Sequence, residues 1–247
     1  MQALTGVDLD AYKSPQLRRR LDGYLNRLHI ATWGEFHRQT SGNAEAFYQL
    51  RDYLAINVSS FFRDPKKWAE LREAVLPALH RVGLPLTAWS AACSHGAEAY
   101  SLAILCQEDA NLRQSRIIGT DIDQAVLQQA KAGGPYTADE VKNVAGASFA
   151  RWFKEEGGSY YVLPALRSRV QFMPMDLLQS KYHNHFDLIL CRNVLIYFTE
   201  NAKRQVLTNL AEALKSRGVL FIGATETIPH EQELGLARVG ISFYQRA

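Results

Sequence analysis

From about residue 86 onward, short apolar runs alternate with helix-patterned stretches, and this alternation limits the fold more than any other feature of the chain. Leu86 to Trp89, Arg116 to Gly119, Phe186 to Leu190 and Val219 to Gly223 read as strands, and Arg238 to Tyr244 as a last one. Ala97 to Cys106, Gln124 to Ala132 and Ala202 to Leu214 read as helices between them. Leu188 to Leu190 is apolar at every position, as expected of a parallel strand covered on both faces. A strand–helix repeat of this kind predicts a Rossmann-like, doubly wound α/β sheet, because each parallel crossover must travel back over the sheet. One stretch breaks the rhythm. Gly157-Gly158 beside Tyr160-Tyr161-Val162, followed by Val170-Gln171-Phe172, reads as a small antiparallel β-subdomain at about residues 157–172.

The first 80 residues carry a different pattern, entirely helical. Ser14-Pro15 is a helix start, with Ser14 as N-cap and Pro15 at the first helical position. Leu17, Leu21, Leu25 and Leu28 then recur at helical spacing, and Arg18, Arg19 and Arg20 fall largely off that stripe. Trp33 and Phe36 mark a second helix; Phe47, Leu50, Tyr53 and Leu54 mark a third. Phe61, Phe62, Trp68 and Leu71 follow and run towards a stop at Pro77. Gly83 and Pro85 suit a linker. The expected division is therefore a small all-α domain with linker at 1–80 and an α/β domain at 81–247.

Composition narrows the partners. The 247 residues are 47% apolar and 21% charged, enough to bury a good core. A formal charge of +3 is too small to argue for nucleic acid. No apolar run approaches the ~20 residues of a membrane span, and Met1 to Asp10 lacks the regions of a signal peptide. Cys93, Cys106 and Cys191 are widely spaced and odd in number, so free thiols are expected, with no disulfide framework and no metal site. Cytoplasm is the expected compartment.

Ligands of open α/β sheets bind beyond the carboxyl ends of the strands. The turn Trp89-Ser90-Ala91-Ala92-Cys93-Ser94-His95-Gly96 lies there, its small residues permitting close approach to backbone N–H groups. Asp121 ends the next strand, where a carboxylate can accept from both ribose hydroxyls. The turn is not G-x-G-x-x-G, which disfavours a dinucleotide. S-adenosylmethionine, an adenosyl ligand without phosphates, fits better. Cys191, Arg192 and Asn193 stand where the third strand should end. Each residue also has a plainer reading. Asp121 could be a helix N-cap, and Glu98 a complement to the helix dipole. His95 is favoured as a turn residue, Arg18 to Arg20 could be a solvated face, and Tyr197 could be a core tyrosine.

Four segments taken together resemble the chemotaxis receptor methyltransferases, the CheR family. Asn57-Val58-Ser59-Ser60-Phe61-Phe62-Arg63 resembles its N-x-[T/S]-x-F-F-R motif. Trp89 to Ser101 is similar to its W-S-A-G-C-S-T-G-E-E-P-Y-S, Thr120-Asp121-Ile122-Asp123 to its T-D-I-D, and Cys191 to Phe198 to its C-R-N-V-x-I-Y-F. Order and spacing agree from about Tyr12 to Glu226. The resemblance implies transfer of methyl from S-adenosylmethionine to glutamate carboxylates on the cytoplasmic methylation helices of chemoreceptors, with S-adenosylhomocysteine as product. By position, Asn57, Ser59 and Arg63 would lie against the cofactor. Glu98 and Asp121 would hold its amino acid and ribose parts. Ala91, Ile122, Asp176, Leu177, Cys191 and Arg192 would line the rest, and Arg63 and Tyr197 would be nearest the transferred methyl. Arg18, Arg19 and Arg20 would meet the acidic receptor. Ala97 and Ala99 depart from the family's acid and proline, His95 replaces a threonine, and Asp176 stands where many relatives have asparagine. The short loop from Lys154 to Tyr160 implies no dependence on a receptor pentapeptide tether. A monomer that neither binds nucleic acid nor inserts into a membrane is expected. The alternatives are a non-catalytic S-adenosylmethionine-sensing module and a methyltransferase acting on another signalling protein.

Overall fold

A computed structural model describes residues 11–247 except 42, 44, 45, 47, 48, 51, 52, 54–58, 81–84 and 184, with backbone alone at 14–17, 19 and 20. The described strands, in chain order, are β1 (Thr87–Ala91), β2 (Arg116–Asp121), β3 (Phe153–Glu156), β4 (Ser159–Val162), β5 (Val170–Pro174), β6 (Phe186–Cys191), β7 (Leu214–Ile222), β8 (Leu236–Arg238) and β9 (Phe243–Arg246). Seven of them form one sheet in the order β5-β2-β1-β6-β7-β9-β8. β5, β2, β1, β6 and β7 are mutually parallel, and β9 and β8 close one edge antiparallel. The winding reverses between β1 and β6. Their carboxyl ends, at Ala91 and Cys191, therefore flank the crevice where ligands of such sheets bind.

The chain divides into two compact units, Met1–Ile56 with Ile196–Gln205, and Asn57–Leu195 with Val206–Ala247. The division falls earlier than the expected boundary after residue 80. The reason is packing: Phe61, Trp68, Leu71, Val75, Leu76 and Leu79 are buried in the same apolar cluster as Leu188, Leu190, Val219 and Phe221. In the first unit Tyr24, Leu25, Phe36 and Leu50 form a small core with Trp33 and Tyr53 against it. There Tyr12 bridges to Phe198, and Lys13 N–H donates to the Tyr197 carbonyl at 2.9 Å.

Four local expectations need correction. The helix Ser14–Arg27 has Lys13, not Ser14, at its N-cap. Pro77 does not stop its helix, which runs on through Leu76–Leu79. A π-helical turn, Leu71–Val75, lets the Leu76 N–H reach back to the Leu71 carbonyl. That wider turn makes room for a proline ring that would clash in a regular helix. Val170-Gln171-Phe172 does not belong to the antiparallel insertion, which is only the β3–β4 hairpin. It is β5 of the main sheet, drawn there because Val170 and Phe172 bury on one face beside β2. Arg238 to Tyr244 is two strands, with Val239 N–H turning back to the Phe243 carbonyl. Gly240 sits in this turn, where an added Cβ would lie 2.6 Å from a Glu70 oxygen.

Candidate active site

The turn after β1 alternates in hand. Ala92 (φ 62°), Ser94 (φ 50°) and Gly96 (φ 90°) are left-handed, and the helix Ala97–Glu108 follows. Alternation of this kind curls successive N–H groups into a concavity. A Cβ on Gly96 would lie 2.9 Å from Ala130 Cβ and 3.0 Å from the Phe172 ring, so both its dihedral and its space require glycine. The turn is held against β2: Cys93 N–H donates to the Thr120 carbonyl at 2.8 Å, and Ser94 N–H to Asp121 Oδ2 at 2.7 Å.

Asp121 is buried, 8% exposed. Its Oδ1 accepts the Asp123 N–H at 3.0 Å. Each oxygen keeps a further lone pair, the capacity that two ribose hydroxyls need. Burial pushes the carboxyl above the ordinary aspartate range, while the Asp123 and Ser94 N–H groups pull it back. The N-cap reading goes to a different residue. Asp123 caps the helix Gln124–Ala132, its side chain accepting from Ala125 and Val126 N–H. Ile122 lies between the two aspartates.

Glu98 is buried on the first turn of its helix and does more than face a dipole. Ser90 Oγ donates to its Oε1 at 2.7 Å and Arg192 Nη1 to its Oε2 at 3.3 Å. Burial raises its pKa, and Arg192 and Ser90 oppose the shift. Arg192, from the end of β6, also donates through Nη2 to Asp64 Oδ2 at 2.8 Å and to the Arg63 carbonyl at 2.9 Å. Its guanidinium lies 4.5 Å from the Phe221 ring centroid. Trp68 Nε1 donates to the same Arg63 carbonyl at 2.9 Å. Left-handed Phe62 and Asp64 flank Arg63, so its main chain is fixed from both sides. The structure thus brings the Arg63 main chain, Glu98 and Arg192 together, with Ala91 at the end of β1.

Beyond β5, Met175 N–H donates to the Asp121 carbonyl at 2.9 Å, which sets Asp176 and Leu177 beside the end of β2. Asp176 Oδ1 accepts the Leu178 N–H at 2.8 Å, and the Leu177 carbonyl accepts the Tyr182 hydroxyl at 2.6 Å. Cys191 and Cys93 are buried, and desolvation first of all pushes both thiols well above their ordinary range, so neither is a thiolate at neutral pH.

Residues 57–240 match the family model described as CheR methyltransferase, SAM binding domain. The chain belongs to the CheR methyltransferase family. It is 38% identical over 240 residues to a chemotaxis protein methyltransferase of Listeria monocytogenes, covering 97% of this chain and 91% of that one. It is 34% identical to chemotaxis protein methyltransferase 1 of Pseudomonas aeruginosa, covering 92% and 87%. To the chemotaxis protein methyltransferase of Escherichia coli it is 31% identical, covering 91% and 80%.

The CheR cofactor is S-adenosylmethionine, and the crevice fits it. Two buried polar atoms beside Asp121 and Glu98, Ser94 Oγ and Arg192 Nε, have no partner among the described residues. The turn is lined by small residues with no Cβ at Gly96. Other expected positions are more scattered. Ser59 is half-buried; Asn57 lies outside the described residues, as do the side chains of Arg19 and Arg20. Arg18 is exposed in the first unit. Tyr197 is half-buried in the short turn Leu195–Tyr197 and counts with the first unit, Arg63 with the second. His95 is more than a turn residue. It is buried, its carbonyl accepts the Tyr136 hydroxyl at 2.7 Å, and its Nε2 lies 3.0 Å from Glu140 Oε1. Ala97 and Ala99, the departures from the CheR motif, are fully buried in the core. Sequence reasoning passed over Ser90 and Asp64, which lie inside or next to the quoted motifs, and Glu226, which ends the resembling region.

Proposed function

We propose that this chain methylates glutamate side chains on the cytoplasmic methylation helices of chemoreceptors, giving methyl esters and S-adenosylhomocysteine. The observation that carries this reading is the Arg192 node: one buried guanidinium joins Glu98, on the cofactor turn, to Asp64 and the Arg63 main chain. The names of the relatives support the chemotactic setting. When bound, S-adenosylmethionine supplies a methyl group activated on a sulfonium. Asp121 holds the ribose and Glu98 the amino acid part; Asn57, Ser59, Ala91, Ile122, Asp176, Leu177, Cys191 and Arg192 line the remaining walls. A glutamate side chain ionises near pH 4.3, so it reaches the site already anionic and needs no base. What the protein must supply is placement. Arg63 orients the acceptor carboxylate through its planar fork, and Tyr197 donates a hydrogen bond to it. A clamp that is too strong would stabilise the ground state and slow transfer. The basic residues Arg18, Arg19 and Arg20 steer the enzyme to acidic receptor helices. It works as a cytoplasmic monomer, without a pentapeptide tether.

Tyr197→Phe tests the reading. It should lower receptor methylation about tenfold, the equivalent of one transition-state hydrogen bond, with cofactor affinity little changed. Undiminished turnover would remove Tyr197 from the site.

A further inference from the structure

We infer that Glu226, a residue outside the cofactor-binding and catalytic set, is a positioning residue for the cofactor site, acting through the turn that carries Arg192. The sheet accounts for the need. β6 and β7 are paired up to Cys191 and Ile222, where the ladder ends. The N–H groups just beyond, of Asn193 and Gly223, lose the ladder and require another acceptor. Glu226 Oε2 serves both, at 2.9 Å from Asn193 N and 2.7 Å from Gly223 N. Its own N–H closes the turn on the Gly223 carbonyl at 3.0 Å.

The fit is tight. A Cβ on Gly223 would lie 2.6 Å from Glu226 Oε2 and 3.0 Å from Asn193 N, so glycine is what lets the carboxylate reach both strand ends. Asn193 is left-handed, with φ 59°, a conformation that asparagine adopts more readily than other non-glycine residues and that the Glu226 carboxylate holds through the Asn193 N–H. Glu226 is 5% exposed, so water does not replace it as acceptor. Arg192 immediately precedes the clamped residue and reaches inward to Glu98, Asp64 and the Arg63 carbonyl. Holding Asn193 therefore holds the base of the side chain that organises the cofactor turn. Glu226 Oε1 takes no bond from the described residues, so an amide nitrogen in its place displaces none of theirs.

Cofactor binding tests this without any methyl acceptor, and so independently of the proposed substrate. Calorimetric titration with S-adenosylmethionine and S-adenosylhomocysteine would be run on Glu226→Ala, Glu226→Asp and Glu226→Gln. The control is Asp187→Ala. Asp187 accepts Thr87 N–H and Lys215 Nζ at the opposite end of β6, so its loss costs stability at a distance from the crevice. Alanine and aspartate should weaken both ligands alike, by about tenfold, the scale of one lost buried hydrogen bond. Glutamine, whose carbonyl can still accept both N–H groups, should recover most of that, and the Asp187 control should bind normally. Wild-type affinity in Glu226→Asp would overturn the proposal. So would a Glu226→Gln loss confined to the charged S-adenosylmethionine, which would mean attraction to the sulfonium instead of a clamp. A control as weak as Glu226→Ala would reduce the effect to general destabilisation and overturn it too.

Discussion

Ala92 and Asp121 each bear a local cost that the crevice requires. Ala92 holds φ 62° with a Cβ present, and a left-handed L-residue costs about 1–2 kcal/mol. Ala92→Gly should therefore stabilise the protein by up to about 1 kcal/mol after glycine's extra unfolded-state entropy is counted; denaturant unfolding that shows a loss would mean the turn is not strained. Asp121 carries an electrostatic cost. Its folded pKa is raised, so between the ordinary aspartate value and that raised value the native state binds more protons than the unfolded state. Its contribution is most favourable below the ordinary range and declines as pH rises to the folded pKa. Asp121→Asn should flatten that part of the stability–pH curve and weaken cofactor binding, and it leaves either the Ser94 or the Asp123 N–H without an acceptor, because an amide nitrogen only donates. A steeper decline with rising pH in the variant would contradict the assignment. The sequence pointed to Asp121 through its place at a strand end. It did not decide between ribose ligand and N-cap, because that depends on where the next N–H groups point. In the fold they point to Asp123.

At the scale of elements, β1, β2, β6 and β7 were legible because central parallel strands are apolar on both faces. β5 was not. Val170-Gln171-Phe172 alternates, like the strand of a small antiparallel sheet, and only its position beside Gly119 explains why. A Cβ on Gly119 would lie 2.7 Å from the Phe172 ring and 3.1 Å from Cys93 Sγ. Gly119→Ala should thus force β5 from β2 and destabilise by about 1–3 kcal/mol. An unchanged melting temperature would show that the β2–β5 contact is loose. The helix through Pro77 escapes the local pattern for a related reason. Proline ends regular helices, and a π-turn is set by tertiary packing of Leu71 and Val75, which local pattern does not reveal. The polar contacts that organise the crevice join Ser90 to Glu98, Arg192 to Asp64 and Asn193 to Glu226. They are contacts between elements, invisible to spacing along the chain, even though most of their members lie in or beside recognisable motifs.

At the scale of the molecule, two compact units share the roles proposed for one reaction. The α/β unit carries the cofactor crevice; the helical unit carries Arg18 and, by its later segment, Tyr197. If the basic helix steers the enzyme to an acidic receptor, reversing Arg18 and Arg19 to glutamate should slow methylation and flatten its dependence on ionic strength. No change in either would leave that helix a solvated face. The account as a whole rests on a carboxylate as methyl acceptor, and ester chemistry tests it most directly. Labelled methyl would be transferred from S-adenosylmethionine to chemoreceptor-containing membranes, and the receptor band then treated with mild base. The account predicts label in that band, released by base as methanol. Cofactor binding without labelled receptor, or label that resists base, would contradict it.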